Sequence, residues 1–304
     1  MSLKSLFFRT FIIATIIFLA TSCNTNQTPA KQPANEFSFV FMTDIHVQPE
    51  NNAEAGFRAA ITKVNELNPE FVITGGDLVM DCLGQTHGRA DTIYNIYTAM
   101  EKEFKMPVYN TMGNHEHYGW YASSGADTNH PEYGEKMFEK RIGPRFQRID
   151  HKGWVFLILD SVVKDGKGGY EGGIDAEQIQ WIKNQLTNIA PETPIVISLH
   201  IPLLTTEAQI LRGATVANEP GEVVVNSREV LGLFQNHNLK LVLQGHLHYY
   251  ETLYVFGTNF VTGGAVSAAW WEGSYLGTEE GFVLVNVKGD SVSWEYVDYG
   301  WAVK

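Results

Sequence analysis

Leu239-Lys240-Leu241-Val242-Leu243-Gln244-Gly245-His246-Leu247-His248 is an apolar run that breaks at a glycine and ends in two imidazoles one residue apart. The run reads as a buried strand, and period-two spacing at its end points both imidazoles the same way. Alone, it would also suit an isolated zinc site. The same layout recurs upstream. Phe37 to Met42 runs into Thr43-Asp44-Ile45-His46, and Phe71-Val72-Ile73 runs into Gly75-Gly76-Asp77. The weaker strand Val108-Tyr109-Asn110 leads to Gly113-Asn114-His115-Glu116, and Pro194 to Leu199 leads to His200. Polar, metal-competent residues thus follow apolar strands repeatedly. In open α/β sheets, sites form at the carboxyl ends of strands, so these distant stretches are expected to converge on one cleft.

Helical and strand patterns alternate between these blocks. Phe57, Ile61, Val64 and Leu67 recur at helical spacing before Pro69. Asp175 reads as the N-cap of a helix to Ile189, with Gln178 at the third position and Ile179, Ile182 and Leu186 facing inward. Asn226 reads as the cap of a helix toward Asn236, with Glu229 in the capping-box place. Trp154 to Leu159 is a further strand. Thr252 to Phe256, Asn259 to Thr262, Phe282 to Val287 and Val292 to Val297 read as consecutive strands. The alternation predicts an α/β domain over residues 36–304, without repeat or internal linker.

Asp-x-His, Gly-Asp, Gly-Asn-His-Glu, His and Gly-His-x-His, in that order and each at a strand end, resemble the calcineurin-like metallophosphoesterase superfamily. The resemblance covers nearly everything from Phe37 to about Val297. It implies a two-sheet αββα sandwich, with the C-terminal strands completing the second sheet. It implies that Asp44, His46 and His248 hold one metal, that Asn114, His200 and His246 hold the second, and that Asp77 bridges the two. His115 matches the family's non-ligand catalytic histidine, which protonates the leaving oxygen or stabilises the transition state; the other reading is a hydrogen bond within its turn. Members often orient this histidine with an Asp three residues after the bridging carboxylate. Met80 stands there in this chain, and Asp81 comes one later. Purple acid phosphatases place a metal-binding Tyr at that position and a Gly where His46 stands. The chain is more similar to the cyclic-nucleotide phosphodiesterase-like branch.

The donor set is imidazole, carboxylate and amide without thiolate, which suits two divalent or trivalent transition metals: Mn, Fe, Zn or Co. A metal pair activates water and grips phosphoryl oxygens, so the implied reaction is hydrolysis of a phosphodiester by metal-bound hydroxide. A phosphomonoesterase scavenging phosphate is the second reading, and a non-catalytic surface binding protein on the same scaffold is the third. Few Lys and Arg lie near the motifs, which favours a diester over the more highly charged monoester.

The 304 residues carry a formal net charge of −12, which excludes a general nucleic-acid-binding surface. A phosphorylated small molecule remains compatible, because bound cations reverse the local sign. Lys4 and Arg9 precede the short apolar run Phe11 to Ala20 and Leu19-Ala20-Thr21-Ser22-Cys23. This layout predicts a lipoprotein-type signal peptide over residues 1–22, lipidation at Cys23 and a flexible tether over residues 23–35. A signal cut elsewhere, with Cys23 incidental, is the alternative. Export to a bacterial cell envelope follows, with the chain lipid-anchored in the periplasm or at the outer membrane. With Cys23 lipidated, Cys82 is alone and no intrachain disulfide is available.

His117 follows His115 closely, and Tyr249 follows His248 directly; both are candidates for the substrate-facing mouth. Trp120-Tyr121, Tyr249-Tyr250 and Trp270-Trp271 allow either stacking on a base or sugar or ordinary packing. Arg89 is either a phosphate contact or a solvated surface residue.

Overall fold

Along the first strand, Phe37, Phe39 and Phe41 enter one hydrophobic cluster while Val40 and Met42 enter another. Alternate side chains of a strand point to opposite faces, so this strand must be buried on both sides. The computed structural model describes residues 35–303. The expected lipidation site Cys23, the signal segment and all but the last residue of the tether lie outside the described residues.

The elements in chain order are β1 (Glu36–Met42), α1 (Ala53–Leu67), β2 (Phe71–Thr74), α2 (His87–Met100), β3 (Val108–Tyr109), α3 (Lys136–Arg141), β4 (Gln147–His151) and β5 (Trp154–Ile158). There follow β6 (Val162–Lys164), β7 (Tyr170–Gly172), α4 (Ala176–Leu186), β8 (Pro194–Ser198), α5 (Glu207–Leu211) and α6 (Ser227–Leu233). Five strands complete the set: β9 (Asn238–Gln244), β10 (Tyr250–Val255), β11 (Thr258–Gly263), β12 (Gly281–Lys288) and β13 (Ser291–Asp298). One sheet runs β13-β12-β1-β2-β3, with β1, β2 and β3 parallel. The other runs β10-β11-β9-β8-β5-β4, with β5, β8, β9 and β11 parallel and antiparallel edges. Strands β6 and β7 form a separate small hairpin.

Three apolar layers hold this arrangement. Between the sheets, Phe39 stacks on Phe71 at 5.1 Å, and both meet the Phe156 ring edge-on at 5.3 Å. Outside the first sheet, Val40, Met42 and Val72 pack on Phe57, Ile61 and Val64 of α1 and on Tyr94 and Tyr97 of α2. Outside the second, Leu157, Ile195, Ile197 and Val242 pack on Ile179, Ile182 and Leu186 of α4. Each such side chain contributes about 1.5–3 kcal/mol when fully buried. The result is the expected αββα sandwich, in which β1, β2, β3, β8 and β9 deliver their carboxyl ends to one edge.

Three sequence readings need correction. The C-terminal strands do not complete one sheet: β10 and β11 extend the second, whereas β12 pairs antiparallel with β1 and carries β13 onto the first. Alternation alone cannot say which of two exposed sheet edges a strand joins. Asn226 does not cap its helix; its amide bonds both the N–H and the carbonyl of Ile174 at 3.0 and 2.9 Å, and α6 stops at Leu233. The sequence pattern marks neither helix α2 nor strand β4, because the buried stripe of α2 relies on Tyr94 and Tyr97 and β4 has Ile149 as its one apolar residue. The Asp175 cap stands, accepting from Gln178 N at 2.8 Å. Among the described residues, no helix is long and apolar enough to cross a membrane.

Candidate metal centre

Asp44, His46, Asp77, His246 and His248 all have left-handed backbone, with φ of 55°, 47°, 51°, 74° and 60°. Non-glycine residues rarely adopt that region, at a cost of about 1–3 kcal/mol each, and such strain collects at functional sites. Here it is held by paired loops. Asp44 N donates to Gly76 O at 3.0 Å, His46 N to Asp77 O at 2.9 Å, and His246 N to the Asp44 carboxylate at 3.0 Å. The strand-end geometry read from the sequence is therefore corrected for the last block. Strand β9 ends at Gln244, and both histidines lie beyond it in turns. They face different partners: His246 Nδ1 lies 3.2 Å from His200 Nε2, and His248 Nε2 lies 3.0 Å from His46 Nε2.

The seven side chains converge as two sets that share one atom. Asp77 Oδ2 lies 3.7 Å from His46 Nε2 and 3.2 Å from His200 Nε2. On the first side, Asp44 Oδ1 is 3.4 Å from His248 Nε2. On the second, Asn114 Oδ1 is 3.0 Å from His200 Nε2. The six histidines and aspartates of the set fall in ligand clusters compatible with a metal ion, and the Asn114 amide oxygen adjoins the second of them.

Ring tautomers test whether cations fit. His248 Nδ1 donates to Ala268 O at 2.6 Å and His200 Nδ1 to Gly75 O at 2.8 Å. In the neutral rings each Nε2 then carries a lone pair, aimed at a carboxylate oxygen. Acceptor facing acceptor is repulsive unless a cation lies between, and backbone partners on the far nitrogen are how metal-binding histidines are usually oriented. The electrostatics agree. Burial holds His46 well below its usual range, and burial with His200 nearby takes His246 down to about 3, so both rings stay neutral. Burial also opposes a charge on His200, yet Asp77 carries it up to about 9. A proton there occupies the place a metal would neutralise.

Supporting groups fix these atoms. Thr43 Oγ1 donates to Asp44 Oδ2 at 2.7 Å, and His115 N donates to Asp77 Oδ1 at 3.0 Å, leaving Asp77 Oδ2 for the shared position. Two glycines are required by closeness: a Cβ on Gly113 would stand 2.3 Å from Asp77 N and Oδ1, and one on Gly245 would stand 2.0 Å from Thr43 Oγ1. The fully buried Glu116 carboxylate accepts from Asp77 N, Leu78 N, Val79 N and Gly113 N at 2.7–3.1 Å. It lashes the Asp77 turn to the Asn114 turn, a role that the Gly-Asn-His-Glu block alone did not reveal.

His115 keeps some exposure, with Nε2 at 3.7 Å from Asp77 Oδ2. Its Nδ1 bonds the Met80 carbonyl. The orienting group is therefore backbone at the position where relatives carry an Asp, and Asp81 instead accepts from Leu83 N at 2.8 Å.

Both substrate candidates are corrected. His117 is 1% exposed, stacked on Trp120 at 3.8 Å beneath the Asn114 turn, and has no surface to offer a substrate. Tyr249 turns its hydroxyl to Thr205 at 3.1 Å and lines a separate cleft with Ile210 and Leu211. Arg89 pairs with Glu50 at 2.6 Å. Trp270, Tyr275 and Tyr170 are aromatics at the centre, with rings 4.4 and 5.9 Å from His248 and 6.2 Å from His246. A further group, His87, His130 and Glu132, has ligand-like spacing. Arg141 grips both Glu132 oxygens at 3.0 and 2.8 Å and Lys140 adds a third cationic contact, so that charge is already neutralised.

With this geometry established, comparison with known proteins identifies the relatives. Residues 37–250 match the family model described as calcineurin-like phosphoesterase. A protein of Psychrobacter arcticus described as a probable cyclic nucleotide phosphodiesterase is 22% identical over 242 residues, covering 72% of this chain and 76% of that one. A Danio rerio transmembrane protein with a metallophosphoesterase domain is 22% identical over 223 residues, covering 70% of this chain and 40% of its own length. Two solved structures share the fold. A dimetal phosphatase from Danio rerio superposes with TM-score 0.58 at 15% identity, covering 87% of this chain and 99% of that one. A purple acid phosphatase from yellow lupin seeds gives 0.59 at 17%, covering 88% and 52%.

Proposed function

The chain belongs to the calcineurin-like phosphoesterase family, and from that footing we propose that it is a phosphodiesterase whose metals are held by Asp44, His46 and His248 on one side, by Asn114, His200 and His246 on the other, and by Asp77 between them. The observation that carries the reading is the shared position of Asp77 Oδ2, within 3.7 Å of an imidazole from each set. When bound, a pair of divalent metals supplies Lewis acidity to phosphoryl oxygens and lowers the pKa of water. Nitrogen and oxygen donors without thiolate support Mn, Fe, Zn or Co.

The chain's own residues do the rest. Asp77 and Asp44 place negative charge where cations would sit, His46 and His246 stay neutral as ligands, and a metal would take the place of the proton that Asp77 draws onto His200. His115, with Nδ1–H committed to Met80 O, exchanges its proton only at Nε2, the nitrogen that faces the centre. It is thereby set to protonate a leaving oxygen. Diester over monoester is supported by charge. Among the described residues, Asp44 and Asp77 pair with histidines alone, Lys164 packs over Tyr133 and Trp120, and Arg145 is taken by Asp160 and Asp175. Among the described residues, no ammonium or guanidinium contacts these carboxylates to meet a dianion. The likeness to a protein described as a probable cyclic nucleotide phosphodiesterase points the same way.

The test compares bis-p-nitrophenyl phosphate with p-nitrophenyl phosphate on the chain from Asn24 onward, loaded in turn with Mn, Zn and Fe. Faster metal-dependent cleavage of the diester is expected. Preference for the monoester would replace the diesterase reading with phosphate scavenging, and no turnover with both metals bound would favour a binding role. In the same assay His115→Ala, which keeps the backbone N–H that holds Asp77 Oδ1, is expected to lower kcat by about 10²–10⁴ with metal content unchanged, the usual worth of a positioned acid. Unaltered kcat would remove His115 from the chemistry. The N-terminal signal supports a lipid on Cys23 and residence in the cell envelope, which the mass of the mature N-terminus would check.

A further inference from the structure

Trp270 and Trp271 are neighbours, both in left-handed backbone with φ of 50° and 73°, and they are used in opposite ways. Trp271 is buried, its Nε1 donates to His46 O at 3.1 Å, and its ring fills the space over Gly56, where a Cβ would stand 2.2 Å away. Ser267 Oγ adds a bond to Asp44 O at 2.8 Å. These anchors lock the segment to the loop that carries Asp44 and His46. With Trp271 turned inward, Trp270 is turned out. It keeps 36% of its surface in water while its ring lies 4.4 Å from His248 and 6.1 Å from His46. On the other donor set, the half-buried Tyr170 of the β6–β7 hairpin meets His246 at 6.2 Å, edge to face.

The first donor set is thus flanked by Trp270 and by Tyr275, whose ring lies 5.9 Å from His248, and the second by Tyr170; Trp270 is the most exposed of the three and the nearest to a ligand ring. A tryptophan that served packing alone would be buried as Trp271 is. Trp270 is instead held beside the donors, by backbone in the left-handed region, with a third of its surface wet. A flat, exposed indole beside a phosphoryl-binding centre offers a face for stacking, which is worth about 1–3 kcal/mol per base and tolerates any planar ring.

We propose that Trp270 determines the specificity of this centre, as the platform on which a planar aromatic group joined to the bound phosphate stacks, of the kind a nucleobase provides, with Tyr170 bounding the opposite side. The proposal rests on the reading of the centre as a phosphoester site. It differs from the sequence expectation, which placed Tyr249 at the substrate-facing mouth.

The experiment is isothermal titration of the Mn-loaded protein with AMP and with ribose 5-phosphate, which differ only by the base. Binding of ribose 5-phosphate reports the phosphate site; the ratio of the two affinities reports the platform. We expect AMP to bind about ten-fold more tightly, and expect Trp270→Ala to bring AMP down to the affinity of ribose 5-phosphate with two Mn ions still bound. Trp270→Phe, which keeps a ring of smaller face, should retain most of the difference and guards against a folding artefact. Equal affinities in the unaltered protein would overturn the platform while leaving the phosphoester reading intact. So would a Trp270→Ala variant that loses both ligands and a metal together, since the indole would then merely shield His248. Failure of both compounds to bind an unaltered, Mn-loaded protein that still cleaves bis-p-nitrophenyl phosphate would overturn the platform alone, whereas failure to bind together with no cleavage would overturn the phosphoester reading and the platform with it.

Discussion

Asp77→Asn is expected to lower turnover by about 10³–10⁴ and to leave at most one metal per chain where the unaltered protein is expected to hold two. The substitution isolates charge from fold. Asp77 has left-handed backbone at φ 51°, a region that Asn tolerates as well as Asp does, so the turn should survive. The amide oxygen can still accept from His115 N, the bond that Asp77 Oδ1 makes at 3.0 Å. What changes is the atom at the shared position: an NH₂ donor replaces Oδ2, the atom that lies 3.7 Å from His46 Nε2 and 3.2 Å from His200 Nε2. Two cations a few ångströms apart repel strongly in a poorly solvated site, and a bridging carboxylate is what offsets that. In the unaltered protein burial would raise the Asp77 carboxyl, but His200 and His115 outweigh it and hold it well below the usual range, so it is ionised in advance. Elemental analysis of the purified variant, with circular dichroism to verify folding, decides the matter. A folded variant that keeps both metals and full turnover would refute the bridging role.

The site was more legible in the sequence than the fold around it. Asp44, His46, Asp77, Asn114, His200, His246 and His248 each follow an apolar strand, and strand ends converge for topological reasons that hold whatever the loops do. The structure brings all seven together. What the sequence could not give was the conformation of the turns. The period-two reading of His246 and His248 failed because left-handed backbone at both residues turns each ring to a different partner. Second-layer contacts were equally hidden. The carbonyl that orients His115 belongs to Met80, and no side-chain pattern announces a backbone acceptor. His117 resembled a mouth residue by proximity in sequence, whereas the tight turn after Asn114 drives it into the interior against Trp120. Sheet membership failed for the same reason: β12 could have joined either sheet, and only its antiparallel pairing with β1, from Glu36 opposite Lys288 to Phe41 opposite Val283, decides it.

Glu116→Gln is expected to destabilise the metal-free protein by about 3 kcal/mol and to weaken metal binding by about 10- to 100-fold, although the side chain touches no metal ligand atom. Every partner of the Glu116 carboxylate is a donor. Oε2 takes Asp77 N and Gly113 N at 3.0 and 2.7 Å, and Oε1 takes Leu78 N and Val79 N at 2.8 and 3.1 Å. Burial, with Asp77 behind it, pushes this carboxyl up to about 7, but a proton on either oxygen would face N–H groups and find no acceptor. The four donors therefore require the ionised form at neutral pH. Glutamine preserves shape and volume yet sets its NH₂ against two of those N–H groups, leaving them unsatisfied in a fully buried place. The turns carrying Asp77 and Asn114 would then separate. Since Asp77 supplies the shared atom and Asn114 an oxygen of the second set, the loosened turns lose the spacing on which both sets depend. Thermal melts after chelation, followed by titration with Mn, measure the two effects independently. A melting temperature within a degree of the unaltered protein would mean that Glu116 is protonated in the fold and that glutamine simply mimics it; a lowered melting temperature with undiminished metal affinity would mean that the lashing serves stability alone.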